Sequence, residues 1–268
     1  MPWKAALETL WTPETLDAPH AVPDKARRVR AMFNAIAPRY EMVNSVCSAG
    51  RDSYWRRKAV ELCDVEARDI VLDVACGTGD FTRAFASAGV RFAVGCDFAH
   101  AMLVRANGAS ERAGGRKAPG PGGGRRTCRR LCEADATCLP FRGGSFTIVS
   151  CAFGVRNFQD LDGGLREMRR VLRSGGRAVI LEFSRPANRW LRRFYEFYAA
   201  RVMPRTAAWL SGDRSGAYRY LPQSVVSFLT AKDMCARLSQ AGFVRVDATP
   251  LTFGVVTVYV ARCGPRGA

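Results

Sequence analysis

A chain of 268 residues with 48% hydrophobic content suits one α/β domain with short decorations, and no stretch approaches the roughly 20 consecutive apolar residues of a membrane span. Ten cysteines but only two histidines, with no Cys-x-x-Cys pair, argue against a zinc site or a disulfide framework and for reduced thiols packed in apolar runs. The net charge of +17, from 41 basic and 24 acidic residues, admits nucleic acid, an anionic membrane surface or acidic ligands as partners and decides among none of them.

Lys4, Glu8 and Glu14 interrupt the modestly apolar start before a signal-like segment forms, so a cytoplasmic protein is expected. Residues 1–24 carry Pro2, Pro13, Pro19 and Pro23 without clean periodicity and read as a loose N-terminal extension to a domain spanning 25–268. Residues 25–63 read as a helical cap with aromatic anchors at Phe33, Tyr40, Tyr54 and Trp55. Ile70–Val74 is a short continuous apolar run of the kind buried in a parallel sheet. Phe81–Ala88 reads as a helix closed by Gly89, Phe92–Asp97 as a second strand and Ala99–Asn107 as a second helix. Residues 108–130 are rich in Gly, Pro, Arg and Lys, cannot bury a core, and read as a basic loop.

Strands are then expected at Leu131–Asp135 and Phe146–Phe153, a helix near Leu161–Leu172, and a Gly175-Gly176 turn into a strand at Arg177–Phe183. A helical insertion on the substrate side follows at about 187–230. Its first helix, 187–203, sets Trp190, Leu191, Phe194, Tyr195, Tyr198 and Val202 on one face against Arg189, Arg192, Arg193 and Glu196. That pattern fits a helix packed on the core, or a lid with a greasy face for a lipid tail and an Arg face for anionic lipid. A helix at Lys232–Gln240 precedes two β patterns, Phe243–Ala248 and Val255–Ala261, too closely joined to be anything but antiparallel. The expectation is a doubly wound, Rossmann-like α/β fold with a seven-stranded, mostly parallel sheet and an antiparallel C-terminal hairpin, the layout of class I S-adenosylmethionine-dependent methyltransferases.

The chemistry gathers at the C-terminal ends of successive strands. Asp73-Val-Ala-Cys-Gly77-Thr78-Gly79 follows a strand and opens a helix, and its glycines let the backbone pass close to a ligand. Thr82 stands where a dinucleotide fingerprint needs a third glycine, and no lysine is placed for a phosphate loop. A sulfonium ligand with an amino-acid tail needs no pyrophosphate cradle, so the variant suits S-adenosylmethionine. Asp97 ends the next strand, where a carboxylate accepts both ribose hydroxyls, although Asp there also serves as a helix N-cap. Asp135 is placed to accept the adenine amine, with the Ala136 backbone at the ring edge.

Further blocks carry a family resemblance. Phe33, Ala37-Pro-Arg-Tyr40, Met42-Val-Asn44, Ser48, Gly50 and Trp55 resemble the opening signature of the ubiquinone/menaquinone biosynthesis C-methyltransferase family. Arg170-Val-Leu-Arg-Ser-Gly175-Gly176 through Glu182-Phe-Ser184 resembles its second signature. Phe153-Gly-Val-Arg156-Asn157, Tyr218-Arg-Tyr220-Leu221 and Leu251-Thr-Phe-Gly254 are similar to further family blocks, so that the likeness covers residues 29–262. Ser174 departs from the family's usual Pro, Gln223 from Glu, and Ala152 from Ser.

The resemblance implies cofactor contacts at Thr78, Asp97 and Asp135-Ala136, with Asp73, Gly77, Gly79 and Ala152 completing the cofactor set. It implies C-methylation of a prenylated quinol, with S-adenosylmethionine as co-substrate and no metal. Arg156 is a candidate to stabilise a developing phenolate, Asn157 to orient the ring oxygen, and Tyr40 and Glu182 to bind the quinol or relay its proton. An alternative reading is that Arg156 caps a loop or pairs with Asp160. Expected partners are the quinol, an anionic membrane touched peripherally and a second copy of the chain, with no nucleic acid. A methyltransferase for RNA or for another lipophilic acceptor stays open, while the complete set of cofactor residues counts against a non-enzymatic cofactor-binding scaffold.

Overall fold

The computed structural model describes residues 10–48, 50–114, 128–186, 188–190, 193 and 216–264. Its centre follows from β1 (Ile70–Val74), where alternate apolar residues serve opposite faces of one sheet. Leu72 and Val74 pack in one cluster and Val71 in another, and the same parity separates Val149 and Cys151 from Ile148, and Ala178 and Ile180 from Val179 and Leu181. Both faces are apolar because helices cover both.

The remaining strands are β2 (Phe92–Asp97), β3 (Cys128–Glu133), β4 (Phe146–Ala152), β5 (Leu172–Phe183), β6 (Arg245–Leu251) and β7 (Val256–Arg262). They form a 7-stranded sheet in the order β3-β2-β1-β4-β5-β7-β6. β1 to β5 are parallel, and β7 runs antiparallel to both β5 and β6. The order reverses beside β1, which is where an open α/β sheet leaves a crevice at its strand ends.

The N-terminal helices are α1 (Pro13–Asp17), α2 (Lys25–Ile36), α3 (Tyr40–Cys47) and α4 (Arg51–Leu62), with a 3-10 turn at Ala37–Arg39. α5 (Asp80–Ser87), α6 (His100–Gly114) and α7 (Leu161–Val171) join the parallel strands, and α8 (Ala217–Val226) and α9 (Ala231–Gln240) precede the hairpin. A third apolar cluster links Trp11, Val29 and Met32 to Met102 of α6 and to Tyr218 and Tyr220 of α8.

Several expectations are corrected. Residues 10–24 are not loose: they hold α1 and bury Trp11 and Val22. Trp11 stacks on Tyr220 with ring centroids 3.9 Å apart, a partner no local periodicity announces. The basic loop is shorter at both ends, because α6 runs on to Gly114 and β3 starts at Cys128. Residues 115–127, the centre of that loop, lie outside the described residues, as does most of the amphipathic stretch 187–203. β3 ends at Glu133, so Asp135 sits in the turn beyond it, bridged to Cys138. β5 begins at Leu172 rather than Arg177, with a register shift against β4 that absorbs the Gly175-Gly176 turn.

Candidate active site

The chain leaves β1 through residues in left-handed backbone, Ala75 at φ 53°, Gly77 at 55° and Gly79 at 81°. Glycine takes this region without the Cβ penalty of other residues. A Cβ at Gly77 would meet nothing within 4 Å, so the loop faces open space, while Gly79 serves as the N-cap of α5. Asp73 supports the loop from beneath: its carboxylate accepts from Thr82 Oγ1 at 2.6 Å and Ser150 Oγ at 2.8 Å. The residue that spoils the dinucleotide fingerprint therefore ties α5 to β1. Burial raises the Asp73 carboxyl to about 6.

Asp97, at the end of β2, accepts from the Gly77 N–H on Oδ2 and from the Ala99 N–H on Oδ1, each at 2.8 Å. It braces the glycine loop and the start of α6 together, and each oxygen keeps lone-pair capacity for a hydroxyl donor. Burial pushes its carboxyl up to about 6 against those hydrogen bonds. Asp135 is exposed, and its Oδ1 accepts from the backbone N–H of Thr137 at 2.8 Å and its hydroxyl at 2.7 Å.

These elements frame a cleft at the C-terminal ends of the strands, where an open α/β sheet places its ligand site. Gly77, Asp97, Asp135, Ala136, Ala152, Tyr40 and Asn157 all line it. Phe33, Phe98, Met102 and Phe153 add apolar wall that the candidate set did not include. Phe98 was signalled only by following Asp97, and Phe33 by its place in the opening signature. Tyr40 meets Phe33 edge-on at 5.7 Å, and burial raises its phenol.

The other candidates stand behind the wall. Thr78 is buried; its hydroxyl donates to Asp80 at 3.3 Å and its carbonyl accepts from Arg83 at 2.7 Å. Arg156 does not pair with Asp160. Its Nη1 lies 2.6 Å from Glu182 Oε1 and 2.6 Å from the Phe153 carbonyl, and its Nε donates to Ser224 Oγ at 3.3 Å. Both members of the ion pair are buried, which joins the 3-10 turn Val155–Asn157 to β5. Burial raises the Glu182 carboxyl against the pull of Arg156. Neither lines the cleft, whereas Asn157, at the end of that turn, does.

Two further groups hold the turn. Lys25 Nζ, buried, donates to the carbonyls of Arg156 at 2.9 Å and Phe158 at 2.7 Å. The Tyr220 hydroxyl donates to Asn157 Oδ1 at 3.0 Å. Among the described residues no group of His, Cys, Asp and Glu is placed to hold a metal ion.

Comparison with known proteins shows the family and the fold. The chain is 40% identical over 251 residues to the ubiquinone/menaquinone biosynthesis C-methyltransferase UbiE of Geobacter sulfurreducens, covering 91% of this chain and 92% of that one. It is 42% identical over 231 residues to the demethylmenaquinone methyltransferase of Thermus thermophilus, covering 85% and 98%. A solved S-adenosylmethionine-dependent methyltransferase from Thermotoga maritima superposes with a TM-score of 0.59 at 15% identity, over 87% of this chain and 98% of that one, a likeness of fold alone. The family model matches residues 22–262, from the packed N-terminal segment to the end of β7, and so spans cleft and sheet alike: the chain belongs to the ubiE/COQ5 methyltransferase family.

Proposed function

We propose that this chain is an S-adenosylmethionine-dependent C-methyltransferase acting on a ring carbon of a prenylated quinol, demethylmenaquinol foremost and the benzoquinol of ubiquinone synthesis as a second acceptor. The observation that carries this reading is a single cleft with nucleoside-type acceptors, Asp97 and Asp135, sharing its wall with an aromatic and amide set, Phe33, Tyr40, Phe153 and Asn157. The cofactor fits the residues present. The glycine loop leaves room at Gly77, and Asp97 retains acceptor capacity for two hydroxyls.

When bound, S-adenosylmethionine supplies a methyl electrophile on a sulfonium whose sulfur keeps the bonding pair. A quinol oxygen that has lost its proton directs electron density to the adjacent ring carbon, which forms the new C–C bond. That carbon's hydrogen then leaves to water as a proton, and the ring regains aromaticity. The protein's task is alignment of carbon and methyl in a closed site. Tyr40 keeps its proton at neutral pH, since burial raises its phenol, and offers an O–H donor to the acceptor. Asn157 orients the ring oxygen. Arg156 and Glu182, neutralised by each other behind the wall, act through the turn that carries Asn157. Thr78 and Asp73 support the glycine loop in the same indirect way.

A polyprenyl acceptor resides in a bilayer, so the proposal includes peripheral contact with an anionic membrane, to which a net charge of +17 is suited. The test is the quinone content of a strain lacking the protein. Accumulation of the demethylated quinone, reversed by the wild-type chain, is expected; a normal quinone profile contradicts the reading.

A further inference from the structure

We propose that Tyr220 is a positioning residue for methyl transfer: its hydroxyl fixes the Asn157 amide so that an N–H, and not the carbonyl oxygen, is left for the acceptor's ring oxygen. The inference rests on the reading of the cleft as the site of quinol methylation. It starts from two contacts of one side chain. Asn157 Nδ2 donates to the Phe153 carbonyl at 3.3 Å, and Oδ1 accepts from the Tyr220 hydroxyl at 3.0 Å. A backbone carbonyl can only accept, so the end of the amide facing Phe153 must be the NH2 group. With Oδ1 held by Tyr220, the donor that remains is the second Nδ2 hydrogen, on a residue that lines the cleft.

That polarity suits the chemistry. The acceptor's ring oxygen is an anion before methyl transfer and a carbonyl in the dienone that follows, a hydrogen-bond acceptor in both. A rotated amide would turn Oδ1 toward that oxygen, acceptor against acceptor, and would leave the Phe153 carbonyl without this donor. The Tyr220 phenol is raised by burial and stays protonated, so it remains a donor across the working pH range.

The surroundings hold Tyr220 and Asn157 to this arrangement. Tyr220 is fully buried and lies under the indole of Trp11 with an interplanar angle of 22°. Lys25 clamps the carbonyls on either side of Asn157, those of Arg156 and Phe158. Residues 11–25 thus act on the cleft from behind, through Tyr220 and through the turn, without entering it.

The experiment uses the purified full-length chain with S-adenosylmethionine and demethylmenaquinol, comparing wild type, Tyr220→Phe, Asn157→Ala and the double variant. Rates are expressed per cofactor-binding site, so that a misfolded fraction does not count as slow catalysis. Tyr220→Phe is expected to lower kcat about tenfold, a modest loss of transition-state stabilisation, with KM for the quinol and cofactor affinity within about twofold of wild type. The double variant is expected to be no slower than Asn157→Ala, because the hydroxyl acts only through that amide. A Tyr220→Phe enzyme with wild-type kcat per site overturns the inference, and so does a loss that adds in full to that of Asn157→Ala. A wild-type protein that binds the cofactor and leaves the quinol unmethylated overturns the functional reading and the inference with it. An active wild type with a fully active Tyr220→Phe overturns the inference alone.

Discussion

Asp97 carries two duties on one carboxylate, holding the Gly77 and Ala99 amides while facing the cleft. Replacing it with Ala removes the acceptor for two hydroxyls and should weaken S-adenosylmethionine binding by roughly 2–4 kcal/mol, the sum of two charge-assisted hydrogen bonds. Calorimetry on the folded variant checks this; unchanged affinity contradicts the assignment. The pH dependence has a definite sign. The carboxyl is raised from 3.8 to about 6, and hydroxyl donors bind its ionised form. Affinity should therefore be full well above pH 6 and fall as the pH drops through that value, a dependence that Asp97→Asn removes. Asp73 titrates near the same value beneath the loop, so Asp73→Asn is the control that separates support from contact. At this scale the sequence told that Asp97 ends a strand, whereas Asp135, expected to end the next one, lies in the turn beyond β3 and lines the cleft from there. It did not tell which way a side chain turns. Arg156 and Asn157 are neighbours, yet one is drawn behind the wall by Glu182 on β5 and the other lines the cleft.

The elements of the sheet were readable because burial on both faces leaves continuous apolar runs, and because a hairpin too short for a crossover must be antiparallel. The expected and observed bounds coincide for β1 and β2 and drift where glycines or basic residues blur the ends, as at β3 and β5. Residues 10–24 were misread for a different reason. Their order comes from Tyr220 and Gln159, distant partners that pattern within the segment cannot report. The same long-range logic makes the Arg156–Glu182 pair a joint between elements. Removing one partner leaves a buried charge uncompensated, so Arg156→Ala should cost about 3–5 kcal/mol of stability. Urea unfolding measures it. A loss below about 1 kcal/mol, the range of an exposed pair, would contradict the structural role given to it.

Over the whole molecule, the charge of +17 and the proposed lipophilic acceptor lead to one prediction, that the chain binds an anionic surface in which such a substrate dissolves. Among the described residues no helix is long and apolar enough to cross a membrane. Attraction of basic residues to anionic lipid amounts to about 1 kcal/mol each near the surface and is screened by salt. Binding to anionic vesicles should therefore weaken with added salt and be weaker still on neutral vesicles; sedimentation with the vesicles reads both, and salt-independent binding contradicts it. The same charge is what a nucleic-acid methyltransferase would carry, and one measurement separates the two most directly. The purified chain is incubated with methyl-labelled S-adenosylmethionine and total cell extract, and the lipid and nucleic-acid fractions are separated. Label is expected in the lipid fraction, on the ring of a prenylated quinone; label in nucleic acid with none in lipid would overturn the quinol reading.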